Sequence, residues 1–334
     1  MNVWEIAILK SMNSLGGEAG LQQIYEILPS FIQLTEEDLR ETKWGGRPSY
    51  QHQVRSHITN LCQASELSRV SRGSYSLTEK GRKRIGVMAK KYKNPPIIEA
   101  LCEFQFVPTH PWDLTIPGLM YEKVKNEFPD KQQKIGVGVQ FVPTEKGLEH
   151  KMGHSPPRIQ FHRKDKTALI QVAPDLLAVN QLKPYPTWSK FKPMILQNLH
   201  MYKEVANPKG FKRIELRYIN KINIRAESVE LSEYFDFYPY IPKKLPQSHT
   251  NFISRVEIPY LNNRDRMLIT IGSALSERPD TLSIVLDIDY IMSISEAMQI
   301  DAVEEWLEQA HSAIESSFEH CIKDKSRILF EEVK

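Results

Sequence analysis

Cysteine is scarce in this 334-residue chain, and its three cysteines (Cys62, Cys102 and Cys321) lie far apart. Without a close-spaced pair, the sequence favours neither a disulfide framework nor a cysteine zinc site, so we expect a reduced, cytoplasmic compartment. No apolar run approaches the roughly 20 residues that a membrane helix requires. The first residues show no basic stretch followed by an apolar core, so we expect no secretory signal and no membrane partner.

Motifs of the common catalytic classes are also missing. The chain has no glycine-rich phosphate loop, no Gly-x-Ser-x-Gly and no His-Glu-x-x-His. A restriction-type nuclease core pairs an Asp with Glu-x-Lys or Gln-x-Lys on the adjacent strand, and Glu215-Leu216-Arg217 has arginine in place of that lysine. Asp287 and Asp289 share one face of a strand and could bind Mg²⁺, but alternating charges on a solvent face are commoner. We predict no catalytic residue, no metal and no cofactor.

Charge is nearly balanced overall, at a net +3, but it is unevenly distributed along the chain. Residues 1–93 hold 14 Lys and Arg against nine Asp and Glu, whereas the remainder holds 30 against 32. A basic excess concentrated at one end of a chain is typical of a region that contacts phosphate groups, so these counts direct attention to the N-terminal region.

That region shows the element order of a winged helix-turn-helix. Apolar residues at helical spacing predict three helices, over 3–12, 21–28 and 49–62. Two short strands follow within 68–77, and Gly73 lies at the tip of their hairpin, where a positive φ is needed. We therefore predict a winged-helix domain over residues 1–86.

The outward side of the third helix, the wing and the basic residues after it carry the predicted DNA contacts. Arginine pairs with guanine and glutamine with adenine in the major groove, while serine, tyrosine and lysine contact phosphates. The predicted DNA-binding residues are Arg47, Tyr50, Gln51, His52, Arg55, Ser56, Arg69, Arg72, Lys80, Arg82 and Lys83. The alternative is a solvated surface on a winged helix that is used for protein pairing.

The rest of the chain shows one pattern twice. Residues 87–96 are interpreted as a linker, because they are basic and end in a double proline. A β-α-β-β-β-α order then repeats in the approximate halves 97–208 and 211–330, and each half closes with a long helix that carries a tryptophan. This order predicts an α+β domain over 97–334, with helices on one face of a mainly antiparallel sheet.

Charged residues on the apolar strand that opens the second half need partners. Glu215 and Arg217 lie on this strand, and an internal ion pair is the expected explanation. The alternative is a pocket between the two halves, in which Gln171, Asn180 and Arg217 contact an anionic ligand.

Two family resemblances add to this interpretation. On the segments 8–12, 57–61 and 72–81, residues 1–86 resemble the winged-helix domain at the front of Mrr-type restriction proteins. In those enzymes a nuclease domain follows, but here residues 94–334 resemble an uncharacterised, sporadically distributed prokaryotic family. The segments that carry this second resemblance are 94–100, 159–161, 169–172 with Asn180, 188–191, 217–222, 286–289 and 318–330. Lys221 stands where that family is expected to have arginine.

The resemblances imply a setting in antiviral defence or mobile elements, by association alone. We predict a non-catalytic, DNA-binding component of such a system, whose C-terminal domain binds a partner protein or ligand. The alternatives are a ligand-responsive transcriptional regulator and a metal-dependent nuclease with an unrecognised site. The expected partners are double-stranded DNA and either an effector protein or a second copy of the chain.

Overall fold

The chain divides by its internal contacts into two compact units. The first comprises Met1–Asn94, Glu230–Tyr238 and Glu308–Lys334, and the second comprises Pro95–Val229 and Pro239–Leu307. The computed structural model describes residues 2–15, 17–42, 46–85, 90–134, 137–144, 147–154, 157–225, 229–247, 251–260, 263–276, 278–292 and 302–333.

The first unit begins with the predicted winged helix. Its strands form a three-stranded sheet in the order β1-β3-β2, and Gly73 at the β2–β3 turn has the expected positive φ, +81°. The elements of the unit are α1 (Val3–Ser14), β1 (Glu18–Gly20), α2 (Leu21–Ile27), a 3-10 turn (Leu28–Ser30), α3 (Glu36–Leu39), α4 (Ser49–Gln63), β2 (Leu67–Ser71), β3 (Ser74–Leu77), α5 (Glu79–Arg84), a 3-10 turn (Leu231–Glu233), the part of α8 (Val303–Cys321) from Glu308, and α9 (Asp324–Phe330).

Local sequence explains why these helices form. The Asn2 side chain accepts a hydrogen bond from the Trp4 amide at 3.1 Å and so caps the first turn of α1. The apolar positions of α1, α2 and α4 converge on one core, in which Ile8, Ile24 and Ile58 are buried.

Gly81 marks a close approach within this core. A Cβ there would overlap the backbone carbonyl of Glu66 and the Leu77 side chain. We expect Gly81→Ala to lower the free energy of unfolding by about 1–3 kcal/mol, the usual cost of overpacking. Urea unfolding monitored by circular dichroism measures this. The matched control is Gly118→Ala on a helix of the second unit, where the added methyl meets open space and stability should hold or rise slightly. Equal midpoints for the two variants would contradict the expectation.

The described part of the predicted linker is packed against the C-terminal segment. The Lys93 and Asn94 amides donate to the carbonyls of Glu331 and Phe330, both at 3.0 Å. The Tyr92 ring packs edge-on against Phe330, with the ring centroids 5.4 Å apart. The contact-based units differ from the predicted linker over 87–96 and domain over 97–334, because residues 308–334 share the first unit with the winged helix.

The second unit is built on a nine-stranded antiparallel sheet in the order β12-β13-β14-β11-β4-β10-β9-β8-β5, with a separate β6-β7 hairpin. Its elements are β4 (Ile97–Val107), α6 (Ile116–Val124), β5 (Asp130–Lys134), β6 (Val137–Thr144), β7 (Gly147–His154), β8 (Arg158–His162), β9 (Ala168–Ala173), β10 (Leu176–Leu182), α7 (Trp188–Ala206), β11 (Gly210–Arg225), β12 (Ile253–Tyr260), β13 (Asp265–Ala274), β14 (Thr281–Met292) and the start of α8.

The two predicted halves have matching strand orders. The first half runs β4-β10-β9-β8-β5 and the second runs β11-β14-β13-β12. In each half the first strand pairs with the last, and the other strands of the sheet follow in reverse chain order. The two first strands, β4 and β11, pair antiparallel at the centre. The α+β fold with its antiparallel sheet is thus confirmed.

Helices pack on one face of this sheet, as predicted. Tyr202 of α7 stacks on Phe106 of β4 at 4.6 Å between centroids, and Trp306 of α8 lies 5.8 Å from the Tyr290 ring of β14. The pleat places the alternate residues of each strand on the opposite face. That opposite face carries polar and charged side chains.

Candidate nucleic-acid interface and polar sheet face

The outward surface of α4 carries most of the predicted base-contacting residues. His52, Arg55 and Ser56 are exposed, and Tyr50 and Gln51 are half-buried. The apolar side of the same helix is buried, and Tyr50 packs against that core, so His52, Arg55 and Ser56 form the outward face of α4.

A buried tyrosine holds Arg55 in place. The Arg55 Nε donates to the Tyr25 hydroxyl at 2.8 Å, and the Tyr25 ring packs edge-on against Tyr50 at 6.1 Å. This hydrogen bond restrains an otherwise flexible side chain, which lowers the entropy cost of a specific contact. The Tyr25 hydroxyl was not among the predicted site residues, because nothing in the sequence indicates which side chain faces Arg55.

The wing and the approach to α4 contribute further exposed cations. Arg69 lies on β2 opposite Tyr75, and Arg72 lies beside Gly73 at the hairpin tip. Arg47 is exposed just before α4, and its carbonyl accepts a hydrogen bond from the Thr42 amide at 2.9 Å.

Of the predicted phosphate contacts on the basic helix α5, two are exposed and one is buried. Lys80 and Lys83 are exposed, and the Lys80 ammonium donates to the Ala64 carbonyl at the end of α4 at 2.9 Å. Arg82 is only 8% exposed, and its guanidinium donates to Ser312 Oγ at 2.7 Å and to Asn13 Oδ1 at 3.2 Å. Burial lowers the pKa of Arg82. Its assignment as a DNA contact is corrected, because its guanidinium is occupied inside the first unit.

On the polar sheet face of the second unit, amide side chains form a chain of hydrogen bonds. Gln160 donates to Gln171 at 3.0 Å, Gln171 donates to Asn180 at 3.0 Å, and Asn180 donates to Glu99 at 2.7 Å. Two of the three predicted pocket residues therefore meet, but they satisfy each other. The third, Arg217, is bonded elsewhere on this face.

Ion pairs continue the polar face toward the centre of the sheet. Arg158 on β8 donates to Glu103 on β4 at 2.9 Å, over the two intervening strands β9 and β10. Arg213 pairs with Glu215 on the same strand, β11. Burial raises the pKa of Glu215 above its usual range, although Arg213 opposes the shift. The expected partner of Glu215 is thus Arg213.

The Arg217 guanidinium is held by Asp287 through two bonds, Nε to Oδ1 at 2.8 Å and Nη2 to Oδ2 at 2.6 Å. This is the expected internal ion pair for Arg217. Asp289 lies two residues along β14 from Asp287, in register with Arg217, and is buried at 8% exposure. Its burial differs from the expected solvent-exposed face, which the half-buried Asp287 fits better.

A small cavity opens beside the Arg217–Asp287 ion pair. It has a volume of about 140 Å³ and is lined by Arg217, Arg255, Leu268, Thr270, Asp287 and Asp289. Burial, reinforced by Glu215, raises the pKa of Asp289 to about 8. Sequence reasoning missed Arg255 and Thr270. The sequence signal that could have indicated this site is the alternation of charged residues along β11 and β14, because alternate residues of a strand lie on one face.

No described helix is long and apolar enough to cross a membrane. Within the same part of the chain, no three His, Cys, Asp or Glu side chains are grouped so that they could hold a metal ion.

Comparison with known proteins gives one informative match. No curated protein matches the chain. An IclR-family transcriptional regulator from Rhodococcus sp. is 13% identical, over 61% of this chain and 91% of that chain, with a TM-score of 0.17. The RNA triphosphatase Pct1 of S. pombe is 9% identical, over 72% and 87%, with a TM-score of 0.14. Neither TM-score indicates a shared fold. Residues 4–86, by contrast, match the Mrr N-terminal domain, which confirms the predicted resemblance of this region to restriction proteins.

Proposed function

We propose that the winged helix binds double-stranded DNA, with α4 in the major groove and the β2–β3 wing against the phosphate backbone. The observation that carries this proposal is the Arg55 side chain, exposed on α4 and oriented by Tyr25 at 2.8 Å. An oriented arginine on an outward helix face is suited to two hydrogen bonds with guanine.

The surrounding exposed residues supply the sequence-independent part of the binding. Arg47, Arg69, Arg72, Lys80 and Lys83 are exposed cations of the same unit. Such side chains neutralise phosphates and release counterions, which makes the affinity fall steeply with salt. Gln51, His52, Ser56 and Tyr50 complete the proposed contacts on α4.

In this proposal the chain is a non-catalytic component of a restriction-like defence or mobile-element system. The match of residues 4–86 to the Mrr N-terminal domain supports that setting. The second unit would bind a partner protein or a small ligand, and any cleavage would be done by a separate effector. A ligand-responsive regulator is the second candidate, favoured by the charged cavity beside Asp289.

The test is binding to a short duplex and to a single strand of the same length, each at two salt concentrations. We expect the full-length chain to prefer the duplex at micromolar affinity or better, with affinity falling as salt rises. We expect Arg72→Ala to weaken binding about fivefold and to reduce the salt slope by about one, because one phosphate contact is lost.

The matched control is Lys209→Ala, which removes one exposed positive charge from the second unit. It should leave both the affinity and the slope unchanged. If the wild type binds neither DNA form at low salt, or if the two variants weaken binding equally, the proposed interface is wrong. The winged helix would then serve protein assembly.

A further inference from the structure

Four adjacent strands build the cavity beside Asp289. On β11, β14 and β13, the residues Arg217, Asp289 and Leu268 lie in register across the sheet. The neighbouring row places Asp287 beside Thr270, which pairs in turn with Arg255 on β12. The cavity is therefore a feature of the sheet itself.

Asp289 is the unusual member of this site. Its carboxyl group lines the cavity, and Oδ1 is buried without a hydrogen-bond partner among the described residues. An unsatisfied buried polar atom costs about 1–3 kcal/mol, so a native structure that keeps one has a reason to do so. A ligand in the cavity would satisfy it.

The charge of the cavity selects the ligand. Asp287 is neutralised by its two bonds to Arg217, whereas Arg255 is an exposed cation that faces the same space. With Asp289 protonated, the lining carries two positive charges against one negative. The volume of 140 Å³ corresponds to about four or five water molecules, which is room for a tetrahedral oxyanion.

We propose that this cavity is a binding site for a sulfate-sized oxyanion, and that its natural occupant is the phosphoryl group of a small ligand or free phosphate. Arg255 supplies the charge, and the Thr270 hydroxyl and the protonated Asp289 carboxyl donate hydrogen bonds to the anion's oxygens. Asp287 orients Arg217 at the rim. This site is independent of DNA binding by the winged helix.

Protonation couples to occupancy in this arrangement. The charged groups on this face around Asp289 are Arg213, Glu215 and Arg217 on β11, Asp287 on its own strand, Arg266 on β13, and Arg255 and Glu257 on β12. Arg266 and Glu257 form an ion pair with each other. An anion stabilises the protonated carboxyl, so the affinity should be high below pH 8 and fall as the pH rises past the Asp289 pKa of about 8. A cationic ligand would require the ionised carboxylate and would show the opposite pH dependence.

Calorimetric titration of the full chain with sodium sulfate tests the proposal, because sulfate does not itself titrate between pH 6.5 and 9.5. We expect binding at the lower pH and an affinity at least tenfold weaker at the higher. Arg255→Ala, at an exposed position on the edge strand, should abolish the binding without affecting the fold. Asp289→Asn keeps a neutral donor, so it should bind sulfate with little pH dependence.

The matched control is Arg278→Ala, which removes an exposed arginine outside the cavity and should bind like the wild type. Parallel titrations with inorganic phosphate and with a phosphate monoester at pH 6.5 distinguish a free ion from a ligand's phosphoryl group. Methylammonium, titrated in the same way, is the cationic probe. The proposal is overturned if sulfate binds at neither pH, if Arg255→Ala binds sulfate as the wild type does, or if methylammonium binds and sulfate does not.

Discussion

Replacing Arg55, Arg69 and Arg72 together by alanine should reduce the affinity for duplex DNA by a factor of about 10² to 4 × 10³. The three side chains are exposed on the recognition helix and the wing. A base contact by arginine is worth about 1–3 kcal/mol and a phosphate contact about 1 kcal/mol. At about 1.4 kcal/mol per factor of ten, the summed loss of about 3–5 kcal/mol gives that range.

The single variants should separate two kinds of contact. Arg55→Ala should weaken binding to a preferred sequence and flatten the preference among sequences, because the oriented guanidinium is lost. Arg72→Ala should weaken binding to all sequences alike and lower the salt slope. Binding to a randomised duplex library, followed by titration of the selected duplex at two salt concentrations, measures both effects.

A triple alanine variant at Lys209, Lys212 and Arg278 is the control, because it removes three exposed positive charges from the second unit. It changes the net charge by the same amount, so an equal loss of affinity in the two triple variants would attribute the binding to overall charge. If the triple alanine variant at Arg55, Arg69 and Arg72 binds duplex DNA within twofold of the wild type, the proposed interface on the winged helix is wrong.

The secondary structure was largely predictable because its signals are local. The apolar spacing of α4 and the turn at Gly73 are set by neighbours in sequence, and both are observed. The packing of Tyr92 on Phe330 was not predictable, since residues more than 200 positions apart form it. Proline and basic residues at 87–96 indicated a linker, but they carry no signal about what the segment packs against.

The candidate sites show the same division. The exposure of residues such as Arg72 could be predicted from helix and hairpin periodicity alone. Arg82 lies in the same basic run, and only tertiary contact with Asn13 and Ser312 sets it apart. The sequence placed Asp289 on the observed strand and on the same face as Asp287, but it did not predict the burial of Asp289. That burial depends on side chains of neighbouring strands, and no local pattern specifies which strands pair with β14.

Replacing Trp306 by alanine should lower the free energy of unfolding of the second unit by about 3–5 kcal/mol, the usual cost of truncating a buried tryptophan. Its side chain is 1% exposed and lies against Tyr290. The indole Nε1 donates at 3.1 Å to Asp265, a fully buried carboxylate that is also held by Arg264. Truncation therefore opens a cavity and removes one of the donors to a buried charge.

Two further variants separate these effects. Trp306→Phe retains much of the packing but loses the donor, so we expect a smaller loss of about 1–3 kcal/mol. Trp188, the tryptophan of the matching helix α7, is only half-buried, and Trp188→Ala should cost less than Trp306→Ala because less apolar surface is lost. Urea unfolding monitored by far-ultraviolet circular dichroism compares the three without relying on tryptophan fluorescence. If Trp188→Ala and Trp306→Ala shift the transition equally, burial is not what distinguishes the two halves, and the closing helices contribute alike to stability.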